Sequence, residues 1–425
     1  MAHNVQDGVD ELIACPDCGL RQLLGPVPRG SRAECRRCGK LIARPDPMRC
    51  GAALALLATA LLLWLPVCVA PLMLVSANGA VRRSQLVSGI AALWTAGFPF
   101  LAVVVAAFSI VVPSLYLALV IAVLLGVRLR SGSAPARPSD ASAQGLGRLY
   151  RWSLGLRPWA MIEVYLLGAC VAYSRIQRVA FVSVGTAGWC LVGATLALLL
   201  ADAVLDERSV WQALPIVPWG TRNESPLSRV PAACRVCDLA MPGARGGDRC
   251  ARCRARLHMR KPHSIQRTWA LVLCGFLLFI PANLLPVVTL EQFGQEQSNT
   301  ILGGVLELAR YGLWPLAAIV FTASIIIPFT KLCGLSCNLF LTRQGSARFL
   351  RARTRLHRMI DWVGRWSNID VFMVSILVAL VQFGQLTRVR VDSGMIAFAA
   401  VVIVTMIAAK SFDSRLMWDA AGEQA

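Results

Sequence analysis

The stretch GAALALLATALLLWLPVCVAPLMLVSA, residues 51–77, contains no charged residue. About 20 apolar residues in helical form are enough to cross the hydrocarbon core of a bilayer. The whole chain of 425 residues is 56% hydrophobic, with a mean hydropathy of +0.59. These values favour a polytopic α-helical membrane protein over a soluble globular domain. The N-terminal stretch MAHNVQDGVDELIACPDCG has no short apolar region followed by an A-x-A site, so we do not expect a signal peptide.

Similar apolar stretches recur, and the charged loops between them set how many cross the membrane. The loop 128–158 has six arginines against one acid, and the stretch 342–358, TRQGSARFLRARTRLHR, has six arginines and no acid. The positive-inside rule places both in the cytoplasm. With a cytoplasmic N-terminus, an even number of crossings must come before residue 128. The stretch 84–127, which is either two spans or an interfacial turn plus one long helix, therefore counts as one span. Eight spans are predicted, at about 51–77, 84–127, 159–176, 180–204, 268–290, 311–341, 368–387 and 393–411.

The two halves of the chain repeat each other at nearly constant spacing. SIVVP at 109–113 precedes SIIIP at 324–328 by 215 positions, and the offset becomes 207 between Glu163 and Asp370. A shared D-x-R-x-x-W pattern closes both halves, at 206–211 and 413–418. An even number of spans in each half gives both repeats the same topology. The predicted domains are a zinc ribbon at 1–48, a four-helix module at 49–212, a second ribbon at 228–262 and a second four-helix module at 263–420.

Eight of the fifteen cysteines form two sets of paired C-x-x-C units, one set before each module. Four thiolates arranged tetrahedrally suit Zn²⁺ and let about 30 residues fold with little core. We therefore expect two structural zinc ions, although the spacing alone also allows iron. A thioredoxin-like site would need a βαβ context that is lacking, and cytoplasmic disulfides are disfavoured. The expected ligands are Cys15, Cys18, Cys35 and Cys38 in the first ribbon, and Cys234, Cys237, Cys250 and Cys253 in the second.

The formal net charge of +20 is explained by the cytoplasmic loops. Neither ribbon interleaves basic with aromatic residues, so we expect no nucleic-acid partner. The chain also has no G-x-x-x-x-G-K-[ST] motif and no recognisable catalytic constellation, so we expect no enzyme activity.

Several polar side chains interrupt the apolar spans. Lys331 lies deep in an apolar run, and Ser324, seven residues earlier, can face the same side of a helix. Charged groups at mid-membrane cost roughly 2.5–3.5 kcal/mol even on mild insertion scales, which favours a functional cluster. The alternative is that the ionisable groups reach the interface by snorkelling, above all Glu163 and Asp370 near the span ends. The predicted network consists of Glu163, Ser324, Lys331, Ser367, Asp370 and Thr405.

The stretch FIPANLLPVVTL, 279–290, predicts a break at the outer end of the fifth span, carried by Pro281, Asn283 and Pro286. Two interpretations stay open here: a plain helix end, or an unwound segment facing a partner. Pro113 and Pro328 predict kinks in the second and sixth spans.

These features together resemble the paraquat-inducible protein A family. The resemblance rests on the two ribbons, PANLLP (281–286), SIIIPFTKL (324–332), RWSNIDVF (365–372) and the closing D-x-R-x-x-W, and covers about 14–418. It implies an inner-membrane protein of Gram-negative bacteria with cytoplasmic termini and ribbons. The implied partner is a periplasmic MCE-domain protein whose hexamers form a tunnel for phospholipids. It further implies that the polar residues of the second module form a network, with Glu163 as the acid of the first. One departure is that Asn283 corresponds to Cys68 in the first repeat, so the halves differ there.

The expected function is therefore loading or extraction of lipid at the tunnel, with coupling to protonation as a hypothesis. A membrane scaffold that anchors the tunnel protein and a zinc- or redox-responsive sensor are the alternatives.

Overall fold

The computed structural model is mostly helical. It describes residues 11–25, 27–28, 31–43, 50–77, 80–130, 141–177, 181–214, 232–241, 246–258, 260–292, 295–364, 366, 372–376 and 387–422. Within these ranges, seven helical stretches are long and apolar enough to cross a membrane: Cys50–Val69, Pro99–Arg130, Gln144–Ser174, Thr186–Val204, Ser264–Leu284, Trp314–Arg343 and Ser393–Ser411. The expected fold class, a multi-pass helical membrane protein with two four-cysteine clusters beside short strands, is confirmed. The predicted span 368–387 falls mostly outside the described residues, although 372–376 is helical.

The first half contains two ribbon hairpins followed by the first module, which we call module 1. The ribbon strands are β1 (Glu11–Ala14), β2 (Arg21–Leu24), β3 (Ala33–Glu34) and β4 (Leu41–Ala43). The elements of module 1 are α1 (Cys50–Val69), β5 (Met73–Ala77), β6 (Ala80–Ser84), α2 (Leu86–Thr95), α3 (Pro99–Ala106), α4 (Val112–Arg130), α5 (Ala141–Leu156), α6 (Ile162–Ile176), β7 (Phe181–Val184), α7 (Thr186–Val204) and α8 (Glu207–Gln212).

The second half repeats this order. The second ribbon contains β8 (Ala232–Ala233) and β9 (Ala240–Met241). Module 2 contains α9 (Ser264–Leu284), β10 (Val288–Gln292), β11 (Gln295–Asn299), α10 (Ile301–Arg310), α11 (Trp314–Phe321), α12 (Ile327–Arg343), α13 (Leu350–Val363), β12 (Thr387–Val391), α14 (Ser393–Ser411) and α15 (Arg415–Ala420). Helix α1 packs along α7, and α9 packs along α14 in the same way.

Each module has a three-stranded antiparallel sheet, formed by the strands that connect its helices. The strand orders are β6-β5-β7 and β11-β10-β12. Their registers correspond residue for residue: Met73 pairs with Ser84 and Val184, and Val288 pairs with Asn299 and Val391. These strands were not predicted: β5 and β10 overlap the ends of the predicted first and fifth spans, and β7 overlaps the start of the predicted fourth. They extend the internal repeat beyond the helices.

The long helix of each module contains one π-helical turn that ends two residues before the proline of its SIVVP or SIIIP motif. These turns are Ala107–Val111 and Thr322–Ile326, between α3 and α4 and between α11 and α12. The N–H of Val112 bonds to the carbonyl of Ala107, and that of Ile327 to Thr322, one residue further back than in an α-helix. Proline has no N–H and its ring clashes with the carbonyl four residues earlier. A π turn inserts one residue and relieves that conflict. The kinks at Pro113 and Pro328 stay predictions.

Of the two interpretations of the fifth span's end, the structure shows the plain helix end, but Pro281 and Asn283 lie inside the helix rather than at a break. Helix α9 continues through Pro281 and Asn283 and ends at Leu284. The Asn283 amide donates to the carbonyl of Phe279 at 2.8 Å and so stays within the helix. Only Pro286 lies at the helix end, because the residue before a proline is disfavoured in the helical conformation.

The basic loops between spans are also more ordered than expected. Helix α5 lies within 128–158 and α13 within 342–364, and both are amphipathic. Their outer faces combine arginine with exposed large apolar residues, including Trp152 and, 207 positions later, Met359. Such faces are typical of helices lying at a membrane surface.

The two modules meet across equivalent residues. The rings of Tyr165 and Phe372, which are 207 positions apart, pack edge to face with centroids 5.4 Å apart. Contact between equivalent positions indicates a pseudo-two-fold axis between the modules. Nearby, a Cβ on Gly89 would lie 2.7 Å from the carbonyl oxygen of Ser375, so α2 approaches the second module closely.

Candidate metal centres and membrane polar site

Each cysteine set converges into one buried cluster whose sulfur atoms all lie within 4.8 Å of one another. The shortest Sγ–Sγ distances are 3.5 Å in both clusters, for example between Cys15 and Cys38. A tetrahedral ion with bonds of about 2.3 Å to sulfur sets these distances near roughly 3.8 Å. All fifteen cysteines are free thiols. Each cluster can therefore hold one metal ion.

The residue after each C-x-x-C unit takes a left-handed conformation. In the first ribbon these residues are Gly19 (φ 77°) and Gly39 (φ 66°). In the second ribbon the same positions hold Asp238 (φ 53°) and Arg254 (φ 59°). The N–H of each of these residues bonds to the carbonyl of the first cysteine of its unit, at 2.8–3.0 Å, which closes the turn. Glycine adopts this conformation without strain. The second ribbon accepts the strain at both positions, which is consistent with the strong constraint that four converging ligands impose.

The first ribbon docks on module 2 rather than on the module that follows it. Asp17, between the first two ligands, accepts hydrogen bonds from Arg358 of α13 at 3.0 Å and from Lys40 at 2.8 Å. The guanidinium of Arg37, between the other two ligands, lies 4.7 Å from the ring centroid of Trp418. Both knuckles of this ribbon are therefore docking surfaces for module 2.

The second ribbon packs on helix α5 of module 1 and also reaches module 2. A Cβ on Gly147 would lie only 2.2 Å from the carbonyl oxygen of Arg252, so the ribbon backbone lies directly on α5. Arg235, between two ligands of this ribbon, pairs with Asp413. Each ribbon thus packs on the module that it does not directly precede: the first ribbon docks on module 2, and the second packs on module 1.

Asp413 opens the second D-x-R-x-x-W motif and is 3% exposed. Its carboxylate accepts from the Arg235 and Arg415 guanidinium groups and from the backbone N–H of Lys261 at 3.1 Å. Burial opposes ionisation, but Arg415 and Arg235 prevail and hold the pKa of Asp413 at about 2. In the first motif the corresponding Asp206 only caps α8, accepting from the N–H and hydroxyl of Ser209.

Lys331 is the central group of the membrane site. It lies on α12, is only 2% exposed, and its ammonium donates to the carbonyl of Gly364 at 2.8 Å. Ser324, two turns earlier, is also buried, and its hydroxyl has no hydrogen-bond partner among the described residues. Thr405 of α14 is fully buried and donates to the carbonyl of Val402.

A cavity of about 410 Å³ extends from Lys331 to Arg358, the residue that binds Asp17 of the first ribbon. Thr405 lines it together with Lys331, whereas Ser324 and Glu163 do not. Glu163 lies in the first turn of α6 and is half-buried. Ser367 and Asp370 fall outside the described residues, so their part in the network stays a prediction.

The sequence analysis missed three further buried polar residues of module 2: Asn338, Thr342 and Arg353. Asn338 is fully buried, and neither atom of its side-chain amide group has a partner in the described part of the chain. Arg353 donates to the Asn338 carbonyl at 3.1 Å and to the Thr342 hydroxyl at 2.9 Å. Asn338 is seven residues after Lys331, which is seven after Ser324, so a seven-residue spacing was the available signal.

Module 1 has mostly apolar residues at the positions where module 2 has these buried polar residues. At the equivalent positions, Val123, Val127 and Leu146 replace Asn338, Thr342 and Arg353, and Tyr116 replaces Lys331. Beside Tyr116 lies a water-sized cavity of about 10 Å³ whose wall includes Arg157 and Asp202, an ion pair at 3.0 Å. Only module 2 therefore combines a buried lysine with a large cavity among the described residues.

The fold and the site together define a class of protein. It is a duplicated helical membrane protein with one four-cysteine cluster before each repeat and a buried lysine inside the second repeat. The sequence model of the family described as paraquat-inducible protein A matches residues 51–215 and 265–422, one copy for each module. The chain therefore belongs to the paraquat-inducible protein A family. The two matched regions also confirm the tandem duplication.

Relatives match over both modules. The chain is 34% identical over 265 residues to lipophilic envelope-spanning tunnel protein A of Escherichia coli, a match that covers 62% of this chain and 61% of that protein. It is 29% identical over 415 residues to the intermembrane transport protein PqiA of Escherichia coli, covering 96% and 95% of the two chains. A probable intermembrane transport protein of Haemophilus influenzae is 24% identical over 428 residues, with 96% of both chains covered. No solved structure matches the chain.

Proposed function

We propose that this protein is the inner-membrane component of an intermembrane lipid-transport system and is not an enzyme. It moves phospholipid between the bilayer and a hexameric tunnel formed by a periplasmic MCE-domain protein. In this proposal the ribbons, α5, α13 and both termini face the cytoplasm. The two sheets face the periplasm, where they and α2 and α10 offer surface to the tunnel protein.

The observation that carries this proposal is the family match over both modules, joined to the end-to-end likeness to a protein named for intermembrane transport. The orientation is supported by the arginine-rich helices α5 and α13 on the ribbon side. On the other side, exposed Trp94, Trp189 and Trp314 lie near the sheets, as in an aromatic belt at a membrane interface.

Zinc is the metal that we propose for both clusters. Four thiolates whose sulfur atoms lie within 4.8 Å of one another would fill every position of a tetrahedral ion, which suits a structural metal and leaves no place for a substrate. Such an ion stabilises the knuckles through which the first ribbon contacts module 2.

We further propose that Lys331 and its neighbours couple transport to protonation. The chain has no P-loop motif, so ATP hydrolysis by a P-loop of its own is not the proposed energy source. A lysine that is 2% exposed inside a membrane span is costly unless it is paired or functional. A cavity beside its ammonium gives access from the cytoplasmic end. Asp370 and Glu163 are the proposed acids of this relay.

The test is complementation of a strain lacking this protein, with envelope integrity and protein abundance measured together. Lys331→Ala and Asp370→Asn are expected to abolish lipid transport at normal abundance. Ser336→Ala, on the partly exposed face of the same helix, is the matched control. Retained envelope integrity in both variants contradicts the proposal. Loss of abundance without loss of activity per molecule favours the scaffold alternative.

One contact favours a second function, metal-dependent control. Asp17 lies between two metal ligands and binds Arg358, which lines the cavity. Emptying the first ribbon would release Arg358 and alter the cavity. If transport varies with zinc over a physiological range while both modules stay folded, the ribbon acts as a sensor.

A further inference from the structure

The cavity beside Lys331 is larger than proton access requires. A water molecule occupies about 30 Å³ of liquid, so 410 Å³ exceeds the space of a single file of a few waters. It falls within the range of roughly 300–1,000 Å³ typical of small-molecule sites. Its volume therefore raises the question of which ligand it accepts.

Four basic side chains converge on this cavity from four separate elements. Lys331 comes from α12, Arg358 from α13, Lys410 from the last turn of α14, and Arg157 from the turn that follows α5 of module 1. Among the described lining residues the one acid is Asp361. The wall is therefore positively charged and lies at the junction of the two modules.

Ion pairs around the cavity hold its arginines in place without using all of their donors. Arg157 binds Asp202 at 3.0 Å, and Arg358 binds Asp17 at 2.9 Å. Each guanidinium has five N–H donors, so a pair of this kind leaves others for a ligand. The planar groups suit the oxygens of a phosphate ester.

The mouth of the cavity also offers apolar surface. Trp362 of α13 lines it and is 62% exposed, and Met406 contributes a further apolar side chain. One turn before Trp362, Arg358 reaches the same cavity. An amphipathic helix of this kind lies at headgroup level, where glycerol and the first acyl carbons would meet Trp362.

We infer that this cavity binds the phosphate ester of a lipid headgroup from the ribbon-side leaflet. The inference rests on the proposed lipid-transport function and adds to it a binding site, the headgroup phosphate as the group recognised there, and a leaflet. The shared chemistry is the phosphate group, which a lipid or free phosphate supplies.

Binding by the full purified chain in detergent tests this without any transport assay. The probe is dihexanoylphosphatidylglycerol, measured by isothermal titration calorimetry and compared with dihexanoylglycerol, which lacks the phosphate. We expect Lys410→Gln to weaken binding about three-fold, as for a partly exposed charge contact. Asp361→Asn removes the competing acid and is expected to tighten binding by a similar factor. Arg355→Gln, exposed on α13 and outside the cavity lining, is the matched control.

The opposite signs separate a ligand site from a structural ion pair. Lys410 and Asp361 pair at 3.5 Å, so a purely structural role makes both substitutions act in the same direction. That result, or equal affinity for dihexanoylglycerol, overturns the inference. Competition by inorganic phosphate supports a site for phosphate itself, whereas phosphatidylglycerol binding without such competition supports the lipid as its source. Lipid binding that persists when transport is lost separates this inference from the proposed function.

Discussion

Asp413→Asn is expected to destabilise the protein far more than Asp206→Asn, although both residues open the same D-x-R-x-x-W motif. Asp413 is 3% exposed and pairs with Arg235 of the second ribbon and with Arg415. Its neutral replacement leaves the buried guanidinium of Arg415 and the partly buried guanidinium of Arg235 without their anion. Asp206 caps a short helix, and asparagine caps about as well as aspartate.

The magnitude follows from the pKa of the Asp413 carboxyl, about 2 in the folded protein against an ordinary value of 3.8. Each unit of pKa difference corresponds to about 1.4 kcal/mol, so the charge contributes about 2.5 kcal/mol to stability at neutral pH. Removing one partner of a buried ion pair typically costs about 3–5 kcal/mol, a similar figure. We expect a loss of about 2–4 kcal/mol for Asp413→Asn and under about 0.5 kcal/mol for Asp206→Asn.

The assay is an unfolding titration in mixed micelles at pH 7, repeated between pH 5 and pH 3. Because the folded pKa of Asp413 is depressed, its stabilisation is complete above pH 3.8 and is lost as the pH falls toward 2. Asp413→Asn should therefore make the free energy of unfolding depend less on pH in this acidic range. Burial lowers the pKa of Lys261, whose backbone N–H also faces Asp413, only to about 8, so Lys261 stays charged throughout this range. Equal losses of stability in the two variants would refute the argument that Asp413 forms a buried ion pair whereas Asp206 only caps a helix.

Three further predictions concern single contacts. Gly147→Ala places a methyl group 2.2 Å from the Arg252 carbonyl oxygen and should weaken docking of the second ribbon, measured by proteolysis; Gly145→Ala, two residues away with open space around it, should stabilise α5 slightly. Asn338→Val replaces a buried amide that has no partner among the described residues, so we expect unfolding stability to rise by about 1 kcal/mol while transport falls. A loss of stability there would show that the amide is satisfied. Cys38→Ser should reduce bound zinc from two ions to one per chain and free the first ribbon to proteases, and unchanged metal content would contradict the four-cysteine site.

Much of the fold was predictable because its signals are local in the sequence. The apolar runs, the arginine-rich loops and the constant offset between repeats require no knowledge of distant contacts. The outer sheets escaped because strands five residues long inside a connection leave a weak pattern. The dipeptide Asn78-Gly79, between β5 and β6, was an available hairpin signal.

The site was less predictable because its geometry depends on contacts between distant residues. The seven-residue spacing of Ser324 and Lys331 correctly indicated one buried helix face, and extending it by one step would have found Asn338. No sequence pattern predicts that the first ribbon docks on module 2 through the contact between Asp17 and Arg358. That pairing spans more than 300 residues and is decided by how the modules assemble.

The duplication leaves module 1 with the shared form of the repeat, while module 2 also carries the buried polar residues. Both modules retain the π turn, the proline and a buried serine, Ser109 or Ser324, so these features belong to the shared fold. Polar residues accumulate along the buried helix face only in module 2 of the described chain, where each one lowers stability unless something else retains it. Module 1 supplies Arg157 to the wall of the module 2 cavity, and the first ribbon supplies the anion that orients Arg358. Lys331 therefore sits where both modules and one metal centre meet, and a ligand in that cavity would contact elements from each half of the chain.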